Sequence, residues 1–276
     1  MCRWIAYRGE SIPLESYVTK PVHSLVSQSV HALESTAVFN GDGSGLGWYG
    51  DQPEPGLYKE LRPAWSDENL QHLCRHLRSH MFFAHVRAAT GTSVSRPNCH
   101  PFACGKWLFM HNGLLANWET LRRDVEAMIP DDLYQYRGGT TDSEALFLAI
   151  MGQGLMGSDR REDPVTATAR MVETITELAN GKGAGAPFRF TAALADGRDL
   201  YAFRYAANDS SNSLYYRALG NAVVVASEPL DQDRGSWISV PENTALVARW
   251  GERLELQPFL QASSSSERIA KIPAAR

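Results

Sequence analysis

The placing of short apolar runs along this chain constrains its fold more than any single residue does. RWIAY (3–7), TAVF (36–39), LGWYG (46–50), MFFAHV (81–86) and KWLFM (106–110) are β-branched or aromatic runs of strand length, broken by glycine-rich turns. ENLQHLCRHLRSH (68–80) carries leucines at helical spacing, and NWETLRRDVEAM (117–128) has a similar period. TDSEALFLAIM (141–151) predicts a third helix. PVTATARMVETITELANG (164–181) predicts a fourth, with Pro164 near its start and Gly181 past its end. Strands then return as FRFTAAL (188–194), DLYAFRY (199–205), LYYRAL (214–219), AVVVAS (222–227) and TALVARW (244–250), separated by the turns DGRD, NDSSNS and PENT. Two strand groups around four helices, without regular βαβ alternation, predict an α+β fold with mainly antiparallel sheets. A two-sheet core between helix layers fits this pattern, although composition alone does not select it.

At 276 residues the chain can bury a sizeable core as one domain. We expect that domain to span residues 1–262, followed by a polar, Ser-rich tail at 263–276 with little to pack. A formal charge of −4 and the absence of any basic run give no reason to expect a nucleic-acid partner. Charges at Arg3, Arg8 and Glu10 interrupt any apolar leader, and no run approaches the roughly 20 residues of a membrane span. No membrane partner is expected, and the cytoplasm is the expected compartment. There the four cysteines (Cys2, Cys74, Cys99, Cys104) read as free thiols.

Cys2 is the most informative position for chemistry. Initiator methionine is commonly trimmed before a small residue, which would put a thiol and a free α-amine on one residue. The thiol titrates near about 8.5 and the amine near about 8, so the amine is a usable base close to neutrality. With Met1 retained the amine is acylated and the arrangement is inactive. Taken alone, a Cys after Met is more commonly an accident.

Three further clusters have both a bland and a functional reading. In AHVRAATGT (84–92) an arginine at a strand end, Arg87, suits a substrate carboxylate, though such a residue is more often a surface ion-pair partner. In FMHNGLLANW (109–118) the Asn112 side chain and the Gly113 backbone N–H would converge as an oxyanion hole requires. Asn-Gly is equally a turn signal before a helix near Asn117. In GGTTDSEALF (138–147) Thr141 and Glu144 form a capping box, and Asp142 suits the first helical turn. That account is complete without a ligand, yet an exposed carboxylate there could hold an ammonium.

The order MCRW, HVRAAT, HNG and TTDSE resembles the class II glutamine amidotransferases of the N-terminal nucleophile (Ntn) hydrolase superfamily. MCRWIAYRGE with PVHSL (21–25) resembles its small stand-alone bacterial members, and AVVVASEPLD (222–231) is similar to a late core strand of the same domain. The resemblance implies a four-layer αββα sandwich. It implies Cys2 as nucleophile with its own α-amine as base, and Asn112 with Gly113 as the oxyanion hole. Arg87 would take the substrate α-carboxylate and Asp142 its α-ammonium. The partner would be a small molecule, glutamine or a γ-glutamyl compound, cleaved through a γ-glutamyl thioester without cofactor or metal. Many relatives have an aromatic residue at Ala88 and a histidine at Gly91, so the pocket wall departs from the pattern here.

Other signals point less far. Gly45-Leu-Gly47-Trp-Tyr-Gly50 fits GxGxxG, but DQPEPG cannot open the helix that phosphate binding needs. His72, His76 and His80 share a helical spacing near Cys74, for which a solvated face is the better account than zinc. His100 fits a structural role, while His85 and His111 flank the pocket motifs and could tune the site, although strand-end hydrogen bonding explains them as well. Two alternatives to the amide hydrolase remain: a glutaminase subunit feeding ammonia to a separate synthase chain, and a non-catalytic binding module or a different catalyst, for instance a thiol hydrolase using Cys99 or Cys104 with His85, His100 or His111.

Overall fold

A computed structural model describes residues 2–34, 39–89, 91–157, 162–182 and 187–260. The first half runs β1 (Arg3–Pro13), α1 (Glu15–Val18), α2 (Leu25–Val30), β2 (Ser44–Trp48), β3 (Gly56–Glu60), α3 (Glu68–His76) and β4 (Arg78–Val86). Next come β5 (Phe102–Cys104), β6 (Trp107–Leu115), α4 (Trp118–Glu126), α5 (Asp131–Tyr134), α6 (Asp142–Met151) and α7 (Pro164–Gly181). Strands β7 (Phe188–Ala195), β8 (Leu200–Ala207), β9 (Tyr215–Leu219) and β10 (Ala222–Ala226) follow. The last are β11 (Ile238–Ser239), β12 (Thr244–Ala248) and β13 (Glu255–Pro258).

Among the described residues these strands form two sheets. One has seven strands in the order β11-β9-β10-β1-β4-β2-β3, the other six in the order β13-β12-β8-β7-β6-β5. The pairings are antiparallel, as in β1 on β4 and β6 on β7. The period-two alternation of strands then sorts side chains into layers. Trp4 and Ala6 of β1 meet Leu108 and Met110 of β6 between the sheets, in a layer with Phe83 and Ala193. Ile5 and Tyr7 face the other way, onto Leu25 and Leu70 of α2 and α3. Trp107 and Phe109 face α6 and α7. The result is an αββα sandwich, the expected architecture.

Helix α6 is apolar nearly all round, and every residue from Ser143 to Met151 is buried. That pattern belongs to a helix enclosed on all sides, not to one with a solvated face. It lies between the second sheet and helices α4 and α7. Phe147 stacks on Phe109 at 5.2 Å, and burying such a ring contributes about 1.5–3 kcal/mol. This packing fixes the start of α6 against the end of β6.

Several expectations are corrected. The helix expected over 68–80 stops at His76; Arg78–His80 begin β4, because Met81–Val86 draw them into the sheet. His80 is therefore off the helix, and its Nε2 lies 2.9 Å from the Gly197 carbonyl. Gly181 ends α7 and does not follow it. His111-Asn112-Gly113 is not a turn: β6 runs on to Leu115, held by pairing with β7. Met1, 36–38 of the expected strand 36–39, Thr90 and the tail 263–276 lie outside the described residues.

Candidate active site

The register of β1 on β4 pairs Arg3 with Val86, so one step further along each strand Cys2 meets the segment just past β4. The Ala88 N–H reaches the Cys2 sulfur at 3.4 Å, and the thiol points at the Ala88 carbonyl at 3.5 Å. Burial pushes the Cys2 thiol up, only partly opposed by the Ala88 hydrogen bond and by the nearby positive charges of Arg87 and Arg3. In the resting protein Cys2 is thus a thiol, and it needs a base to become a nucleophile.

Cys2 opens onto a cavity of about 490 Å³ whose walls include Arg87, Gly113, Asp142 and the stretch 114–120. A smaller recess of about 70 Å³ shares Cys2, Ala88, Gly113 and Leu114 with it and is also lined by Asn112, Arg189 and Asn212. The residues expected from the sequence, Cys2, Arg87, Asn112, Gly113 and Asp142, are therefore brought together around one thiol.

Two of them hold unused donors. Arg87 is 3% exposed; its Nη2 donates to Thr92 Oγ1 at 2.7 Å and to the Ser93 carbonyl at 3.3 Å, while Nη1 is buried without a hydrogen-bond partner among the described residues. Asn112 is 2% exposed and its Nδ2 is likewise unpartnered. Buried donors left unmade cost about 1–3 kcal/mol each, so two of them, one at the cavity and one at the recess that meet at Cys2, point to an acceptor that arrives from outside. Gly113 must be glycine, because a Cβ there would run into His111 Nε2 and the Arg189 carbonyl.

Asp142 is the first residue of α6. Its Oδ1 accepts from the Ser143 N–H at 2.7 Å and its Oδ2 from the Leu115 N–H at 3.1 Å, which ties it to the end of β6. Only half of the capping box forms. Thr141 Oγ1 accepts from the Glu144 N–H at 3.2 Å, but the Glu144 carboxylate turns to Arg137 and to the N–H groups of Gly138 and Gly139. That buried ion pair with Arg137 outcompetes the reciprocal cap.

Other residues at the site were not legible in the sequence. Asn98, fully buried, donates to the Ser93 carbonyl at 2.9 Å and accepts from the Thr140 N–H at 2.8 Å, clasping the loop beneath Arg87 to the one before α6. Arg3 and Glu228, both fully buried, pair at 2.9 Å behind Cys2. Glu228 also accepts from the Leu33 and Glu34 N–H groups and contacts His23 Nε2 at 2.9 Å. Long-range partners of this kind leave no local sequence signal.

His100 lines the cavity instead of merely packing, and it stacks on His85 at 4.3 Å. Neither ring has a nitrogen in good hydrogen-bond geometry with a partner among the described residues, although the His111 backbone lies beside His85. Burial pushes His85 down to about 3 and His100 well below its ordinary value, and both rings are neutral. Cys99 and Cys104 are buried with sulfur or carbonyl neighbours, Glu60 and Ser95 for one and Met156 for the other. Neither has a histidine partner among the described residues, which removes support from the alternative thiol hydrolase. No helix among the described residues is long and apolar enough to cross a membrane.

Two facing antiparallel sheets between helix layers, with β1 central in its sheet and Cys2 just before it, make this an αββα sandwich. Two solved structures share that fold, the B. subtilis glutamine phosphoribosylpyrophosphate amidotransferase with ADP and GMP and an allosteric regulatory enzyme of purine biosynthesis. They are 15% and 16% identical with TM-scores of 0.63 and 0.66, each matching 94% of this chain and 49% of its own.

The family model for class II glutamine amidotransferases matches residues 19–217, and the chain belongs to that family. It is an enzyme of this class. A glutamine aminotransferase class-II domain protein from Silicibacter pomeroyi is 34% identical with a TM-score of 0.73, over 94% of this chain and 100% of that one. A probable glutamine amidotransferase of Saccharomyces cerevisiae is 32% identical over 90% of this chain and 82% of its own length. The γ-glutamyl-hercynylcysteine sulfoxide hydrolase of Mycolicibacterium smegmatis is 29% identical over 90% and 96% respectively.

Proposed function

We propose that this chain hydrolyses the γ-amide of glutamine or of a γ-glutamyl compound through a thioester on Cys2, after removal of Met1. The observation that carries this reading is the pair of orphaned buried donors, Arg87 Nη1 and Asn112 Nδ2, beside the Cys2 thiol. Arg87 binds the substrate α-carboxylate and Asp142 its α-ammonium, so opposite charges hold the zwitterionic head and present the γ-carbonyl to sulfur. The freed α-amine of Cys2 takes the thiol proton as sulfur bonds to the carbonyl carbon of the γ-amide. Negative charge collects on the carbonyl oxygen, where Asn112 Nδ2 and the Gly113 N–H stabilise it. As the C–N bond breaks, the amine's proton passes to the departing nitrogen. Water then attacks the thioester and gives its proton to the α-amine; as the C–S bond breaks that proton returns to sulfur, and the γ-glutamyl group leaves as a carboxylate, its acid proton passing to solvent.

Small-molecule sites span about 300–1,000 Å³, and this cavity of about 490 Å³ leaves ample room beyond an ammonia leaving group. We therefore include larger γ-glutamyl compounds, in keeping with the hydrolase named among the relatives. The test incubates Met1-free protein with glutamine and a panel of γ-glutamyl amides and measures released glutamate, with intact mass monitoring a γ-glutamyl adduct. We expect turnover that Cys2→Ala abolishes. Cleavage that persists in Cys2→Ala, or no cleavage with a free Cys2, overturns the reading.

A further inference from the structure

A hydrogen-bonded chain at the start of α6 is not used by the mechanism above. His111 is 2% exposed, and its Nε2 lies 3.1 Å from the Arg189 carbonyl, which can only accept. Nε2 therefore carries a proton, and in the neutral ring Nδ1 is an acceptor. The Ser143 hydroxyl lies 2.9 Å from Nδ1 and 3.2 Å from Asp142 Oδ1. One hydroxyl proton faces two acceptors.

We propose that Ser143 and His111 are positioning residues that keep Asp142 free to accept the substrate's α-ammonium, with the Ser143 hydroxyl as the link that turns. The inference rests on the proposed role of Asp142. With His111 neutral, the hydroxyl donates to Nδ1, the nearer acceptor and one that would otherwise be buried unmade. Asp142 is then held only by the N–H groups of Ser143 and Leu115, one on each oxygen, and each oxygen keeps a lone pair for the ligand. With His111 protonated, Nδ1–H donates to the hydroxyl, which must turn its proton onto Asp142 Oδ1. An acceptor position is consumed, and a positive charge stands two hydrogen bonds from Asp142.

The surroundings set where this happens. Burial pushes His111 below its ordinary value, against the pull of the Asp142 carboxylate and the Arg189 carbonyl. From β4 and the segment before β5, His85 and His100 face it as neutral rings. On β7 the Arg189 guanidinium is engaged by Asp209. On α6 the Glu144 carboxylate is occupied by Arg137, Gly138 and Gly139. The chain is in its substrate-accepting state at neutrality and turns only in acid.

The readout is the ratio of kcat/KM for glutamine to that for glutaramic acid, which is glutamine without its α-amine. Nucleophile, base and oxyanion hole are common to both substrates and cancel in the ratio. In the parent enzyme we expect the ratio to fall about tenfold as pH drops from about 6.5, the ordinary imidazole value, to about 4.5. We expect Ser143→Ala to hold it flat, because Asp142 keeps its two N–H partners and no hydroxyl remains to turn onto it, and Ser143→Thr to restore the fall. Equal losses on both substrates would mean a structural role and overturn the inference. If the variants do not fold, a parent ratio constant across that pH range overturns it alone. A parent enzyme that does not discriminate the two substrates, or an Asp142→Asn variant that still does, instead sinks the assignment of Asp142 and takes this inference with it.

Discussion

Replacing Asn112 by alanine separates catalysis from stability unusually well. Asn112 Nδ2 is buried and has no hydrogen-bond partner among the described residues, while the backbone carbonyl of Asn112 accepts from Asn212 Nδ2 at 2.8 Å and is untouched by the change. Truncation therefore removes no intramolecular hydrogen bond from Nδ2, and it relieves a donor whose burial costs about 1–3 kcal/mol. Against that stands the packing lost at the recess of about 70 Å³, a cost of similar size. The two offset each other to within about 1 kcal/mol, or about 2–4 °C in Tm for a chain of this length. The catalytic effect is much larger. A lost oxyanion donor costs about 2.7–4 kcal/mol, so kcat should fall about 10²- to 10³-fold. KM should scarcely move, because the donor meets the oxygen only as charge develops on it. Steady-state glutamate release by Met1-free protein, paired with a thermal melt, measures both. A kcat within about fivefold of the parent at full stability refutes the oxyanion assignment, and so does a melt lowered by more than about 10 °C.

Two further outcomes test other parts of the molecule. Arg87→Lys should raise KM for glutamine about 10- to 100-fold with little change in kcat: one ammonium cannot both hold Thr92 and Ser93, as Nη2 does, and meet a carboxylate as Nη1 is free to do. Burial pushes Glu228 up, but the His23 hydrogen bond and the Arg3 charge outweigh it and hold the carboxyl below its ordinary value. Its contribution is thus present above about pH 4.3 and lost as pH falls through the folded value, so urea unfolding should show an acid limb that Glu228→Gln flattens.

Most strands and the later helices were readable because their cues are local. The 164–181 run coincides with α7, whose N-cap Asp163 and Pro164 both act within one turn. The boundary at His76 was not readable, because the periodicity of 68–80 continues into residues that the sheet claims through β1. Likewise, Asn-Gly at 112–113 reads as a turn until β7 is available to pair with it.

The sequence by itself determined the alternation of elements, a thiol at residue 2, and the order of motifs that marks the family. These are properties of short windows, and a window is enough to express them. Only the tertiary structure decided which donors at the site are spent and which are free. Arg87 divides its guanidinium between a loop and a cavity, Asn112 keeps an unmade bond, and Asp142 shares a hydroxyl with His111. Each depends on partners brought near by sheet register and by the burial of α6. Burial then makes an unmade bond costly enough to mean something.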